Sequence, residues 1–178
     1  KEVEKILEEI ERLIREIDRE VKRVKTENEK TVRDIRKRVE EIKEEHKDLT
    51  RKLEKLARDG VPEERLREVL KRIEDRTREV IEELRELLRR DEKKVRDMIR
   101  KLKDLVKKIE DRVRKVELSD EARKRAEDLL RDAKRRVDEV VEELKKTVEE
   151  LKEEVRKVEE ELKELVKRSE DKVRETER

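Results

Sequence analysis

The chain has 178 residues, of which 57 are Lys or Arg and 55 are Asp or Glu, giving a net charge of +2. Charged residues make up 63% of it and apolar ones 30%, with no cysteine and no aromatic ring. The two signs are interspersed, so no block of one charge invites phosphate or an anionic membrane, no ring is present for base stacking, and thiolate and disulfide chemistry are excluded.

Such a composition lies near the disordered class, but the placement of the apolar residues overrules it. From the N-terminus, Leu7, Ile14, Val21, Asn28, Ile35, Ile42, Leu49 and Leu56 recur every seven residues and return to one side of a helix. Val3, Ile10, Ile17 and Val24 form a second row that runs up to Thr31. Val32, Val39, His46 and Leu53 then continue it one position later. That handover keeps the stripe turned inward, because a straight helix drifts by about 20° per heptad against a strict seven-residue repeat. The pattern predicts a first helix over about 2–59, roughly 85 Å long at about 1.5 Å per residue.

Gly60 supplies a left-handed C′ position, Val61 an apolar contact back to Leu56, and Pro62 the fixed φ of a new first turn. A second helix is predicted over 62–117. Leu118 then reads as an apolar plug, Ser119 as an N-cap, and Asp120 and Glu121 as an acidic first turn, opening a third helix over 119–177. Links this short make sequential helices antiparallel, so the expected fold is all-α, a long up-down-up three-helix bundle formed by 1–178 as one domain. Apolar spacing a little over 3.5 residues per turn adds a slight left-handed supercoil. Folding back at each link places Val3 against Val116 and Ala122, and Leu53 against Leu66 and Val173, so the three stripes agree in register. Both senses of turning about the bundle axis satisfy these stripes equally. No apolar run approaches the roughly 20 residues of a membrane span, and the sequence begins directly in the repeat. The expectation is a soluble chain without targeting signal, compatible with the cytoplasm.

A Glu, Lys and Arg surface, a Leu, Ile and Val core, the D-G-V-P-E-E link at 59–64, the L-S-D-E-A link at 118–122 and helices of near-equal length occur together over the whole chain. In these features the sequence resembles the de novo designed helical bundles built from parametric coiled-coil backbones. A natural spectrin-like repeat would carry core aromatics and less regular loops. The resemblance implies a hyperstable scaffold without a biological substrate, and it implies deliberate hydrogen-bond networks within the core.

Two sets of polar residues fall in the stripes. Asn28, Asp91 and Thr147 share one level, with Thr31 a turn away; the Asn amide can donate to the carboxylate while the threonine hydroxyls fill remaining lone pairs, fixing register as a buried Asn does in coiled coils. The competing reading leaves Asp91 and Thr147 solvated at the edge, since a lone carboxylate resists burial. The second set is His46, Thr77, Ser169 and Thr50. Helical side chains lean toward their own N-terminus, which carries His46 toward Thr77 and carries Thr50 and Ser169 toward the level of His46. No second His or Cys is available, and Lys43 stands where a Glu-x-x-His metal motif needs Glu, so a hydrogen-bonded core histidine is expected and no metal or cofactor. Ser169 lacks the orienting carboxylate of a nucleophile.

The function expected is therefore a monomeric structural scaffold and not an enzyme, since glycine-rich phosphate loops, metal clusters and pocket signals are missing. The alternative is an interaction module, spectrin-like or caging, that exchanges a helix with a partner or forms homo-oligomers. A lipid-binding exchangeable bundle is disfavoured by the narrow apolar face and the lack of Trp and Phe.

Overall fold

The computed structural model describes residues 2–177, and these form three helices: α1 (Glu2–Arg58), α2 (Glu63–Lys115) and α3 (Asp120–Thr176). No strand occurs among the described residues. The fold is an all-α three-helix bundle.

Each boundary has a local cause. Gly60 adopts φ +76°, the Gly60 N–H donates to the Ala57 carbonyl at 3.3 Å, and the Val61 N–H donates to the Leu56 carbonyl at 3.2 Å. This paired Schellman arrangement stops α1 at Arg58, one residue before the expected Asp59. The Pro62 carbonyl accepts from the N–H groups of Arg65 and Leu66, and the helix counted from there begins at Glu63. Ser119 lies outside α3 as its cap: Oγ accepts from the Ala122 N–H at 3.3 Å and its carbonyl takes the Arg123 N–H at 2.8 Å. The Arg123 guanidinium reaches back to the Val116 carbonyl at 2.9 Å and to the Val113 carbonyl at 3.4 Å. It thereby covers orphan acceptors at the end of α2, which stops at Lys115 and not at 117.

The chain divides into two compact units, each drawing on all three helices. The first comprises the residues up to Thr31 together with Asp91–Val148; its core includes Ile10, Ile17 and Val24 of α1, Leu102 and Ile109 of α2, and Ala126, Ala133 and Leu144 of α3. The second comprises Val32–Arg90 and the residues from Glu149 onward. There Ile42, Leu84, Leu151 and Leu162 form one buried cluster and Leu53, Leu66, Ile73 and Val173 another. Where two apolar residues are adjacent, packing picks the phase. Leu130 is buried and Leu129 half-buried, and Val141 is buried beside Val140.

Within each unit, ion pairs link the helices across their seams. Between α1 and α2, Glu9 meets Arg112, Glu20 meets Lys101, Glu27 meets Lys94, Arg38 meets Glu83 and Glu45 meets Arg76. The residue numbers add to 121 in each of these pairs, as an antiparallel pairing requires. Between α1 and α3 the pairing is parallel. In the first unit α1 supplies the acids, Glu11 to Arg125 and Asp18 to Arg136; in the second it supplies the bases, Arg36 to Glu154 and Lys43 to Glu161. Sliding α3 by half its length would therefore bring like charges together.

Candidate functional site

Among the described residues six polar side chains are buried: Asn28, His46, Thr50, Thr77, Asp91 and Ser169. Four lie in the second unit, around His46. A hydroxyl side chain in mid-helix has a ready acceptor in the carbonyl one turn earlier, whose second lone pair the helix leaves unused. Thr50 Oγ1 donates to the His46 carbonyl at 2.5 Å and Ser169 Oγ to the Leu165 carbonyl at 2.9 Å, while Thr77 Oγ1 lies 2.7 Å from the Ile73 carbonyl and has one proton to give either there or to His46.

The His46 ring is 1% exposed and bonded at both nitrogens, Nδ1 to the Ile42 carbonyl at 3.1 Å and Nε2 to Thr77 Oγ1 at 2.9 Å. A carbonyl cannot donate, so Nδ1 carries a hydrogen. In the neutral ring Nε2 must then accept the Thr77 proton. In the charged ring Nε2 donates to Thr77, whose own proton turns to the Ile73 carbonyl. Burial lowers the affinity of the ring for its second proton, against the opposing pull of the Ile42 carbonyl and of Glu45. Glu45 is itself engaged by Arg76 at 2.7 Å, which holds its carboxyl below the usual carboxylate range. The structure brings His46 and Thr77 together by side-chain contact and joins Thr50 to the backbone of His46. Ser169 makes its bond within α3 instead.

In the first unit Asn28 is 7% and Asp91 4% exposed. Thr31 and Thr147 are only half-buried, and both hydroxyls donate to their own helix, Thr31 to the Glu27 carbonyl at 3.0 Å and Thr147 to the Glu143 carbonyl at 2.8 Å. The expected closure of this level by threonine hydroxyls is thus not what the geometry has. Val148 takes the buried place beside Thr147, and Asp91 Oδ2 is sealed from solvent without a hydrogen-bond partner. Reading the sequence also missed Lys94. Its ammonium reaches Glu27 at 2.8 Å and Thr31 Oγ1 at 3.3 Å, the residues one before and three after Asn28. The available signal was its place one turn after Asp91, opposite Glu27 in an antiparallel register.

Chemically, these groups can hold one another and hold protons. Among the described residues no three His, Cys, Asp or Glu side chains gather as a metal site, and no helix is long and apolar enough to cross a membrane. One open groove is walled by the charged side chains of Asp97, Arg100, Lys101 and Lys108 around Leu105. No protein-family model matches the sequence, and no curated protein matches it. The chain is similar to a solved protein described as a computationally designed three helix bundle, with 18% sequence identity and a TM-score of 0.47 over 98% of this chain and 88% of that chain.

Proposed function

We propose that this chain is a designed structural scaffold that works as a monomer, with 1–178 folding as one bundle and the buried polar levels setting register. It performs no catalysis in this reading. The observation that carries the proposal is that no large hydrophobic side chain is exposed among the described residues. The three stripes go into the internal clusters, with their partly buried members packed against those clusters, and extended exposed apolar surface is what typically marks a docking face. The constant antiparallel pairing of the α1–α2 ion pairs supports the same reading, since it favours one alignment of these helices over shifted ones.

Light scattering coupled to size exclusion tests the assignment. A monomer mass that holds over a hundredfold range of concentration is expected. A mass that climbs with concentration would transfer preference to a helix-exchanging or oligomerising module. For the single bundle, calorimetry should give one transition whose van't Hoff and calorimetric enthalpies agree.

A further inference from the structure

Asp91 is unusual among the buried polar groups. A carboxylate has only acceptors, and the interior of a helix has no donors to spare, because each backbone N–H already bonds to the carbonyl four residues back. The hydroxyls of Thr31, Thr50, Thr147 and Ser169 escape this problem by donating to such a carbonyl. Asp91 can do the same only when it carries a proton.

Its Oδ2 is sealed from solvent and has no hydrogen-bond partner. We propose that Asp91 is a proton-binding site, taking up one proton from solution in the folded chain and so becoming a donor toward the backbone carbonyl four residues earlier on α2. The proton comes from solvent, no heavy-atom bond changes, and the buried charge of −1 is replaced by a neutral acid. Its surroundings favour this. From α1, the same level is held by Asn28 and Thr31, neither titratable, and the nearest acid there, Glu27, is bound by Lys94 and Arg23. From α3 it is held by Thr147 and Val148, while the flanking Glu143, Lys145 and Lys146 are exposed. Along α2 the charged neighbours are Arg90, Glu92, Lys93 and Lys94. Lys94 is the cation whose charge favours a carboxylate here, and its ammonium is committed to Glu27 and Thr31. Burial accordingly pushes the carboxyl above its ordinary range, Lys94 opposing and Glu92 adding to the effect.

A group whose folded value is raised contributes stability that is fully present below the unfolded value and is lost as pH rises through the folded value. Asp91→Asn isolates that contribution, because the amide is neutral, of the same shape, and able to donate to the same carbonyl. The unfolding constant of the parent chain divided by that of D91N should rise with pH above about 3.9, by up to tenfold per unit within the window, and level off beyond it. A ratio that stays flat from about pH 3 to pH 7 overturns the proposal. Should D91N fail to fold, carbon-13 titration of the Asp91 carboxyl in the parent chain decides alone. A midpoint above about 3.9 supports the site, and one at or below it removes the site.

Discussion

Around His46, an imidazole and three hydroxyls are buried and each sealed atom has a partner; around Asp91, an amide and a carboxyl are buried and one carboxyl oxygen has none. The two levels sit in helices of the same kind, with similar surface charge and similar apolar neighbours. What separates them is the direction of hydrogen bonding. A helix interior offers a spare lone pair at every carbonyl and no spare N–H, so it absorbs buried donors and rejects buried acceptors. Thr, Ser and His can be placed in such a seam at little cost. An acid can be placed there only with a donor from another helix, or with a proton.

Truncation of fully apolar layers sets the scale for this comparison. Leu84→Ala in the second unit and Leu102→Ala in the first remove side chains that are 0% exposed, and each should lose about 2–5 kcal/mol in denaturant unfolding. Values below about 1 kcal/mol would mean that the cores are looser than the packed clusters imply.

Next come the polar levels, which should respond with opposite sign. Thr77→Val leaves His46 Nε2 buried without its partner and should cost about 1–3 kcal/mol, most of it recovered in the double variant His46→Leu with Thr77→Val. Asp91→Leu at neutral pH should raise stability by about 1–3 kcal/mol, because it removes an acceptor that nothing satisfies. Loss of stability in Asp91→Leu would show that the carboxyl is paired in solution and that the contrast between the levels is false.

Protonation of His46 should be a weaker effect. Its folded affinity for the second proton is lowered, so its contribution is present above the unfolded value near 6.5 and is lost as pH falls toward the folded value. Asp91 works in the other direction, gaining on acidification. Ring-proton NMR gives the histidine midpoint; a value at or above about 6.5 would place the ring in contact with solvent.

The smallest effects belong to the seam charges. Arg36 and Glu154 have side chains 48% and 43% exposed, so solvent and salt screen the pair and Arg36→Ala should change stability by about 0–1 kcal/mol. Reversing Arg36 and Lys43 together to Glu should cost more at low salt than at high salt, and equal costs would assign the loss to packing.

Much of this was legible in the sequence because it depends on backbone needs that few residues meet. Only glycine takes φ +76° without strain, Pro62 cannot continue a helix, and Ser119 followed by two acids fits one end of a helix. The lean of helical side chains likewise puts Thr77 within reach of His46. The choice between Leu129 and Leu130, or between Thr147 and Val148, was not legible, since neighbours 100° apart on a helix both border a wide stripe and packing against two partners selects the phase. Nor could spacing tell that the hydroxyls of Thr31 and Thr147 would turn to their own helix. A rotor with an acceptor one turn away has no need of a partner across the seam.

The parallel pairing of α1 with α3 has a consequence for the order in which the chain comes together. Arg76 and Glu45 are 31 residues apart and Arg38 and Glu83 are 45 apart, whereas Arg36 and Glu154, like Arg136 and Asp18, are 118 apart. Closing each loop costs more entropy as it lengthens, by about 0.6 kcal/mol per doubling, so contacts beside the Gly60 turn form from the shortest searches and no contact between α1 and α3 is ever local. On this ground both turns should act as zippers that draw their helices together stepwise, with the α1–α3 seam closing after them. In folding kinetics, substitutions beside the turns should therefore slow refolding, while those confined to the α1–α3 seam should chiefly hasten unfolding.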